Sequence, residues 1–164
     1  MRGDFHTHST LDDGKSSLEE MAAAAWAAGL THFGFSGHSY CPLEEDYCIP
    51  REKIPEYLAR ARAVQARYAG EMEVFVGLEL DLLGERPEGL DYAIGSVHTI
   101  CGGDGRHFAV DESSETAWQC VEELFGGDWY HYTDAYYDQV ALLPERTGCD
   151  WIGHFDLVTK FNER

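Results

Sequence analysis

Short apolar runs alternate with longer stretches of helical periodicity along this chain, and that alternation confines it to βα units around a mainly parallel sheet. Residues 3–8, 32–36, 73–80, 92–98 and 150–156 are the expected strands. Helices fit between them. Ser16 and Ser17, followed by Glu19 and Glu20, offer a capping box to an alanine-rich helix that Gly29 ends. A second helix fits residues 54–68, with Pro55 in its first turn and Gly70 behind it, and two more fit 114–125 and 132–143. A chain of 164 residues, 44% of them hydrophobic, fills one sizeable core. With no repeat, low-complexity tract or flexible linker, residues 1–164 are expected to form a single domain.

In α/β folds of this kind the loops at the carboxyl ends of the strands carry the site. Those ends share one chemistry here. The first expected strand closes on His6-Thr7-His8, where a period of two puts both imidazoles on one face. The second runs into Gly37-His38, the third into Gly77-Leu78-Glu79-Leu80-Asp81, the fourth into Gly95-Ser96-Val97-His98 and the fifth into Gly153-His154-Phe155-Asp156. Each strand delivers histidine or carboxylate to the same rim. That donor set suits zinc, manganese or iron better than calcium, and a glutamate within it can bridge two ions. Residues 40–50, polar and punctuated by prolines directly after the second strand, are a candidate lid. Of the other histidines, His32 is expected to pack or cap at a strand start and His107 to be solvated in a glycine-rich insertion. His131 falls in an aromatic cluster with Trp129, Tyr130 and Tyr132.

Charge removes several classes of partner. Thirty acidic residues against twelve Lys and Arg leave a net charge of -18, which repels a nucleic-acid backbone and an anionic membrane surface. No apolar run approaches the roughly 20 residues of a membrane span, and residues 1–6 lack the apolar core of a signal peptide, so a cytoplasmic protein is expected. Five scattered cysteines without a C-x-x-C pair suggest reduced thiols rather than a disulfide framework or a zinc ribbon.

Taken together, His6-Thr7-His8-Ser9, Asp13-Gly14, Gly37-His38-Ser39, Gly77-Leu78-Glu79, Gly95-Ser96-Val97-His98 and Gly153-His154-Phe155-Asp156-Leu157 resemble the polymerase-and-histidinol-phosphatase (PHP) family of metal-dependent phosphoesterases. The resemblance runs from residue 4 to about residue 162 and looks strongest to the histidinol-phosphatase branch, whose aromatic helix Tyr136-Tyr137 matches. It implies a distorted (β/α)7 TIM-like barrel with two or three divalent ions (Zn, Mn or Fe) at its C-terminal face. By the same resemblance His6, His8 and Glu79 hold a first ion, Glu79 bridges to a second held by His98 and His154, and Asp13 and His38 belong to a third. The family's final Asp-x-His motif belongs in a later repeat and does not occur before Arg164. The expected barrel is therefore incomplete, with about five βα units, and its open edges favour a homo-oligomer.

The reaction this implies is hydrolysis of a small phosphate monoester, with L-histidinol phosphate the leading substrate, by a metal-bound hydroxide attacking phosphorus in line. Asp156 and His38 are the candidate catalytic residues, Asp156 as an orienting group, a ligand or a proton donor. Lys160 and Arg106 are the candidate substrate-binding cations, and Glu44, Glu45 or Asp46 of the lid would read the substrate's cationic end. The alternatives are another phosphoesterase of the same family, acting on a nucleotide or sugar phosphate, and a non-catalytic metal-binding module. The chain purified without added metal or chelator is expected to carry roughly two to three Zn, Mn or Fe ions. Elemental analysis per chain checks this number.

Overall fold

The computed structural model describes residues 2–43 and 46–162. In chain order the elements are β1 (Gly3–Asp4), α1 (Leu18–Ala27), β2 (His32–Phe35), a 3-10 turn (Arg51–Lys53), α2 (Ile54–Arg67), β3 (Glu73–Asp81), β4 (Tyr92–Ser96), β5 (Thr99–Cys101), β6 (His107–Ala109), α3 (Ser114–Phe125), α4 (Trp129–Thr147), β7 (Trp151–Ile152) and a closing 3-10 turn (Leu157–Thr159). Five strands form one parallel sheet in the order β1-β2-β3-β4-β7, curled into a half-barrel, while β5 and β6 pair as a separate antiparallel hairpin. This is the architecture of a partial TIM-like barrel.

Local signals set the helix ends. The Ser17 hydroxyl accepts from the Glu20 backbone N–H while the Glu20 carboxylate accepts from that of Ser17, closing the capping box on α1. Asp128 caps α4 by accepting from Tyr130 and His131, so this helix starts before the expected Tyr132 and runs past Leu143 through Pro144 to Gly148. The expected strands are cut short at the rim. β1 stops at Asp4, β4 at Ser96 and β7 at Ile152; beyond these points isolated backbone bonds, such as Gly153 N–H to Gly95 O at 3.0 Å, mix with bonds to side chains and turns. The insertion after His98 is the β5–β6 hairpin, with His107 in its second strand.

Alternation along β3 decides which face does what. Val74, Val76, Leu78 and Leu80 point outward into a core with Leu18, Ala22, Tyr57, Ala61 and Val64 of α1 and α2. A second core joins Val97, Ile100, Cys120, Val121, Tyr132, Tyr136 and Leu143 under α3 and α4. The intervening residues of β3, Phe75, Gly77, Glu79 and Asp81, face the concave side. There Tyr92 lies across Gly34 and Gly77: a Cβ on Gly34 would overlap its hydroxyl, and one on Gly77 would stand 2.5 Å from its ring. Its hydroxyl sits 2.7 Å from the Phe5 carbonyl and 2.9 Å from that of Phe35, tying β4 back to β2 and the chain after β1. Phe5 meets Trp151 edge-on at 5.3 Å, so the chain just after β1 touches the last strand of the sheet through these rings. Tyr92 therefore holds the curl. Gly77→Ala is expected to cost about 1–3 kcal/mol by overpacking against it, seen as a lower urea midpoint with an unchanged slope.

Candidate metal centre

The concave end of β3 carries Glu79, 1% exposed. Its backbone is fixed on both sides: it pairs with Ile94 of β4, accepts from the Ser39 N–H at 2.8 Å and donates to Gly37 O at 3.1 Å. Those bonds set His38 beside it. Around the carboxylate stand five imidazoles. Oε1 lies 2.9 Å from His154 Nε2 and 3.5 Å from His98 Nε2, and accepts from the Ser96 hydroxyl at 2.5 Å. Oε2 lies 2.9 Å from His6 Nε2, 3.4 Å from His8 Nε2 and 3.3 Å from His38 Nδ1. Each carboxylate oxygen thus faces its own histidine set.

The His6-Thr7-His8 pair reaches Glu79 from outside the strand expected to carry it. After Asp4 the chain stays extended by bonding to Ser36, with Thr7 N–H on the Ser36 hydroxyl at 2.7 Å and Ser36 N–H on Thr7 O at 3.1 Å. Asp13, half exposed, stands 3.5 Å from His8 Nδ1 and 3.9 Å from His38 Nε2. The seven expected metal-binding residues, His6, His8, Asp13, His38, Glu79, His98 and His154, line one cavity of about 300 Å³, with Tyr47, Asp111 and Leu157 at its edge. A larger cavity of about 730 Å³ adjoins it at Tyr47 and Asp111, bounded by Asp46, His107 and Glu112. Tyr47 comes from the expected lid and packs edge-on against His38 at 4.7 Å. Glu44 and Glu45 lie outside the described residues.

Two of the expected residues are placed elsewhere. Arg106 is exposed at the hairpin turn, where Asp104 and Glu123 hold its guanidinium, and it does not line the histidine cavity. Asp156 was expected on the strand face of His154, but β7 ends at Ile152; Asp156 is exposed at the start of the final 3-10 turn and is not in the cavity wall. Lys160 donates to the carbonyl and carboxylate of Asp111 at 2.9 and 3.3 Å, which brings it to the cavity's edge. Three contributors were not singled out from the sequence. Ser96 fixes one oxygen of Glu79; Asp81, its Oδ2 3.5 Å from His98 Nδ1, backs that imidazole; Asp12 backs His8 at 2.8 Å. Their signals were spacing: Asp81 is two residues from Glu79 on the same strand face, and Asp12 is four residues after His8.

Electrostatics follow from burial and company. Burial alone would raise the Glu79 pKa, but hydrogen bonds from His154, His6 and His98 hold it ionised, far below the usual carboxylate range. Burial would lower His98, yet Asp81 and Glu79 push it up to about 10. His38, with less compensation, is pushed down to about 4 by burial and by the neighbouring His98 and His8. An imidazole cluster of this density competes for one anion. His154 Nδ1 is buried without a hydrogen-bond partner. His6, Glu79 and His154, and separately His8, His38 and Glu79, bring their donor atoms within 4.8 Å of one another. Nitrogen and carboxylate donors so arranged fit divalent cations of the zinc, manganese and iron type.

Fold and donor set define an α/β metal-site domain on a partial TIM-like barrel. The chain belongs to the PHP domain family, whose model matches residues 4–164. A protein of Deinococcus radiodurans named as a probable histidinol-phosphatase is 34% identical over 175 residues, covering 96% of this chain and 62% of its own length. The chain thus spans about three fifths of that curated relative. A crystal structure from Listeria monocytogenes bearing the name histidinol phosphatase superposes with a TM-score of 0.78 at 19% identity, over 99% of this chain and 70% of its own. That of the histidinol phosphate phosphatase of Lactococcus lactis, solved with zinc, L-histidinol and phosphate, gives 0.68 at 24% identity, over 97% and 59%.

Glu79→Gln removes the anion that both histidine sets share, and is expected to weaken zinc binding by more than about 100-fold. Arg106→Gln and Asp156→Asn should leave it unchanged. Competition with a chromogenic chelator measures all three.

Proposed function

We propose that this chain is a metal-dependent phosphoesterase that hydrolyses a small phosphate monoester, L-histidinol phosphate, to L-histidinol and phosphate. The observation that carries the reading is the division of five imidazoles between the two oxygens of one buried carboxylate. His8 and His38 with Glu79 would hold one divalent ion, and His6 and His154 with Glu79 another, with His98 against Oε1. Asp13 stands beside His8 and His38. Ions bound there supply positive charge against phosphate oxygens and lower the pKa of a coordinated water toward neutrality.

The chain's own groups do the rest. Ser96 and the backbone bonds of Glu79 hold the shared carboxylate in one orientation, so the two donor sets keep their spacing. Lys160 at the cavity's edge offers a cation to the outer oxygens of a phosphate once it exchanges its bond to Asp111. The adjoining cavity, with Asp46, Asp111 and Glu112, suits the cationic end of histidinol. A net charge of -18 opposes long polyanions but not a small phosphate that meets only the cleft. The names of the Deinococcus and Lactococcus proteins support the same substrate.

After metal loading, kcat/KM for L-histidinol phosphate is expected to exceed that for p-nitrophenyl phosphate by about 100-fold or more, as a site that pairs with substrate polar groups requires. Chelation should abolish both activities. Comparable turnover of the two esters would point instead to a phosphoesterase of other specificity, and a metal-loaded chain that releases phosphate from neither would sink the enzyme reading.

A further inference from the structure

We propose that Asp12 is a positioning residue of the metal centre: it holds His8 in the Nδ1–H tautomer, so that the Nε2 lone pair faces Glu79, and locks that imidazole to the backbone of His38. The inference rests on the metal-centre reading above.

Geometry assigns the role. The Asp12 side chain is 0% exposed, and four donors surround its two oxygens. Oδ1 accepts from the Ser9 N–H at 2.8 Å and the Ser9 hydroxyl at 3.1 Å. Oδ2 lies 2.8 Å from His8 Nδ1 and accepts from the His38 N–H at 3.1 Å. An ionised carboxylate offers about four lone-pair sites. Four donors inside the protein engage them, although a donor atom of Asp12 also lies within 4.8 Å of those of His8 and Asp13. Because a carboxylate only accepts, the short contact to His8 requires the proton on Nδ1, and a neutral ring then keeps Nε2 free. That nitrogen is the one turned toward Glu79.

Neighbouring groups do not duplicate this. Asp13 stands 3.5 Å from the same nitrogen and is half exposed. Gly37 leaves room for this carboxylate as well as for Ile49, since a Cβ there would stand 3.0 Å from Ile49 Cδ1 and 3.2 Å from Asp12 Cγ and Oδ1. One oxygen thereby joins the loop after β1 to the end of β2, the two segments that supply His8 and His38. In contrast, Nδ1 of His154 has no partner. Among the described histidines around Glu79, His8 is the one with a direct carboxylate bond of this length behind it.

The test is made on the whole chain with zinc alone. In long-range proton–nitrogen NMR spectra of the zinc-loaded protein, His8 is expected to carry its proton on Nδ1, and the opposite tautomer overturns the proposal. In Asp12→Asn either orientation of the amide sets a donor against a donor, at Ser9 or at His8 and His38. Its zinc affinity by chelator competition should fall by about 10–100-fold, with the His8 tautomer signal altered. Zinc binding identical to the parent chain also overturns the proposal. Should the variant fail to fold, the tautomer in the parent chain still decides. A parent chain that takes up no zinc overturns the metal reading and this inference together, whereas one that loads zinc and releases no phosphate overturns only the phosphatase reading.

Discussion

A single negative charge buried on the concave face of a sheet is the constraint from which the rest of this molecule follows. An isolated carboxylate taken out of water costs many kcal/mol unless it is neutralised and hydrogen-bonded. Glu79 meets that demand with imidazoles from the chain after β1, the end of β2, the end of β4 and the turn after β7, and with the Ser96 hydroxyl. Every parallel strand except β3 itself therefore delivers a partner to β3. The resulting excess of nitrogen donors over anions disperses their proton affinities widely, with His98 and His38 driven in opposite directions. Divalent cations satisfy such a cluster better than protons do, because several lone pairs can share one ion.

How far this was legible in the sequence depends on the kind of signal. Helix starts and stops were readable because caps are local: Ser17 with Glu20 and the glycines behind the helices act within a few residues. The ends of β1, β4 and β7 were not, unlike those of β2 and β3. Apolar runs continued through residues 8, 98 and 156, but pairing stopped earlier, since a ladder needs a neighbour and the rim supplies turns and side-chain bonds instead. The expected metal-binding residues still share one cavity wall, because an extended segment held like Thr7 to Ser36 presents alternate residues as a strand does. Asp156 lies outside that wall, because its expected placement depended on a strand that ends at Ile152. Arg106 illustrates a different limit. A lone cation in a glycine-rich insertion carries no sequence sign that Glu123 of α3 will capture it together with the neighbouring Asp104.

The groups behind the centre were harder to find than the centre. Histidines at strand ends are rare enough to stand out, whereas Asp12, Asp81 and Ser96 are common residues whose meaning comes from a distance of about one hydrogen bond. Alternation still limits the search: Glu79 and Asp81 share a face by parity, and the hydroxyl of Ser96 reaches the same side because Asp81 pairs with Ser96 in the register of β3 and β4.

The stacking of His6 on His154 at 5.5 Å brings together the beginning and the end of the described chain. A contact of such sequence separation closes a loop of nearly the whole described chain, at an entropic cost that rises with loop length. An ion held between donors from both segments acts as a removable cross-link, adding stability of RT ln(1 + [L]/Kd) to the closed form alone. Opening of these two segments would then depend on the free concentration of the ion.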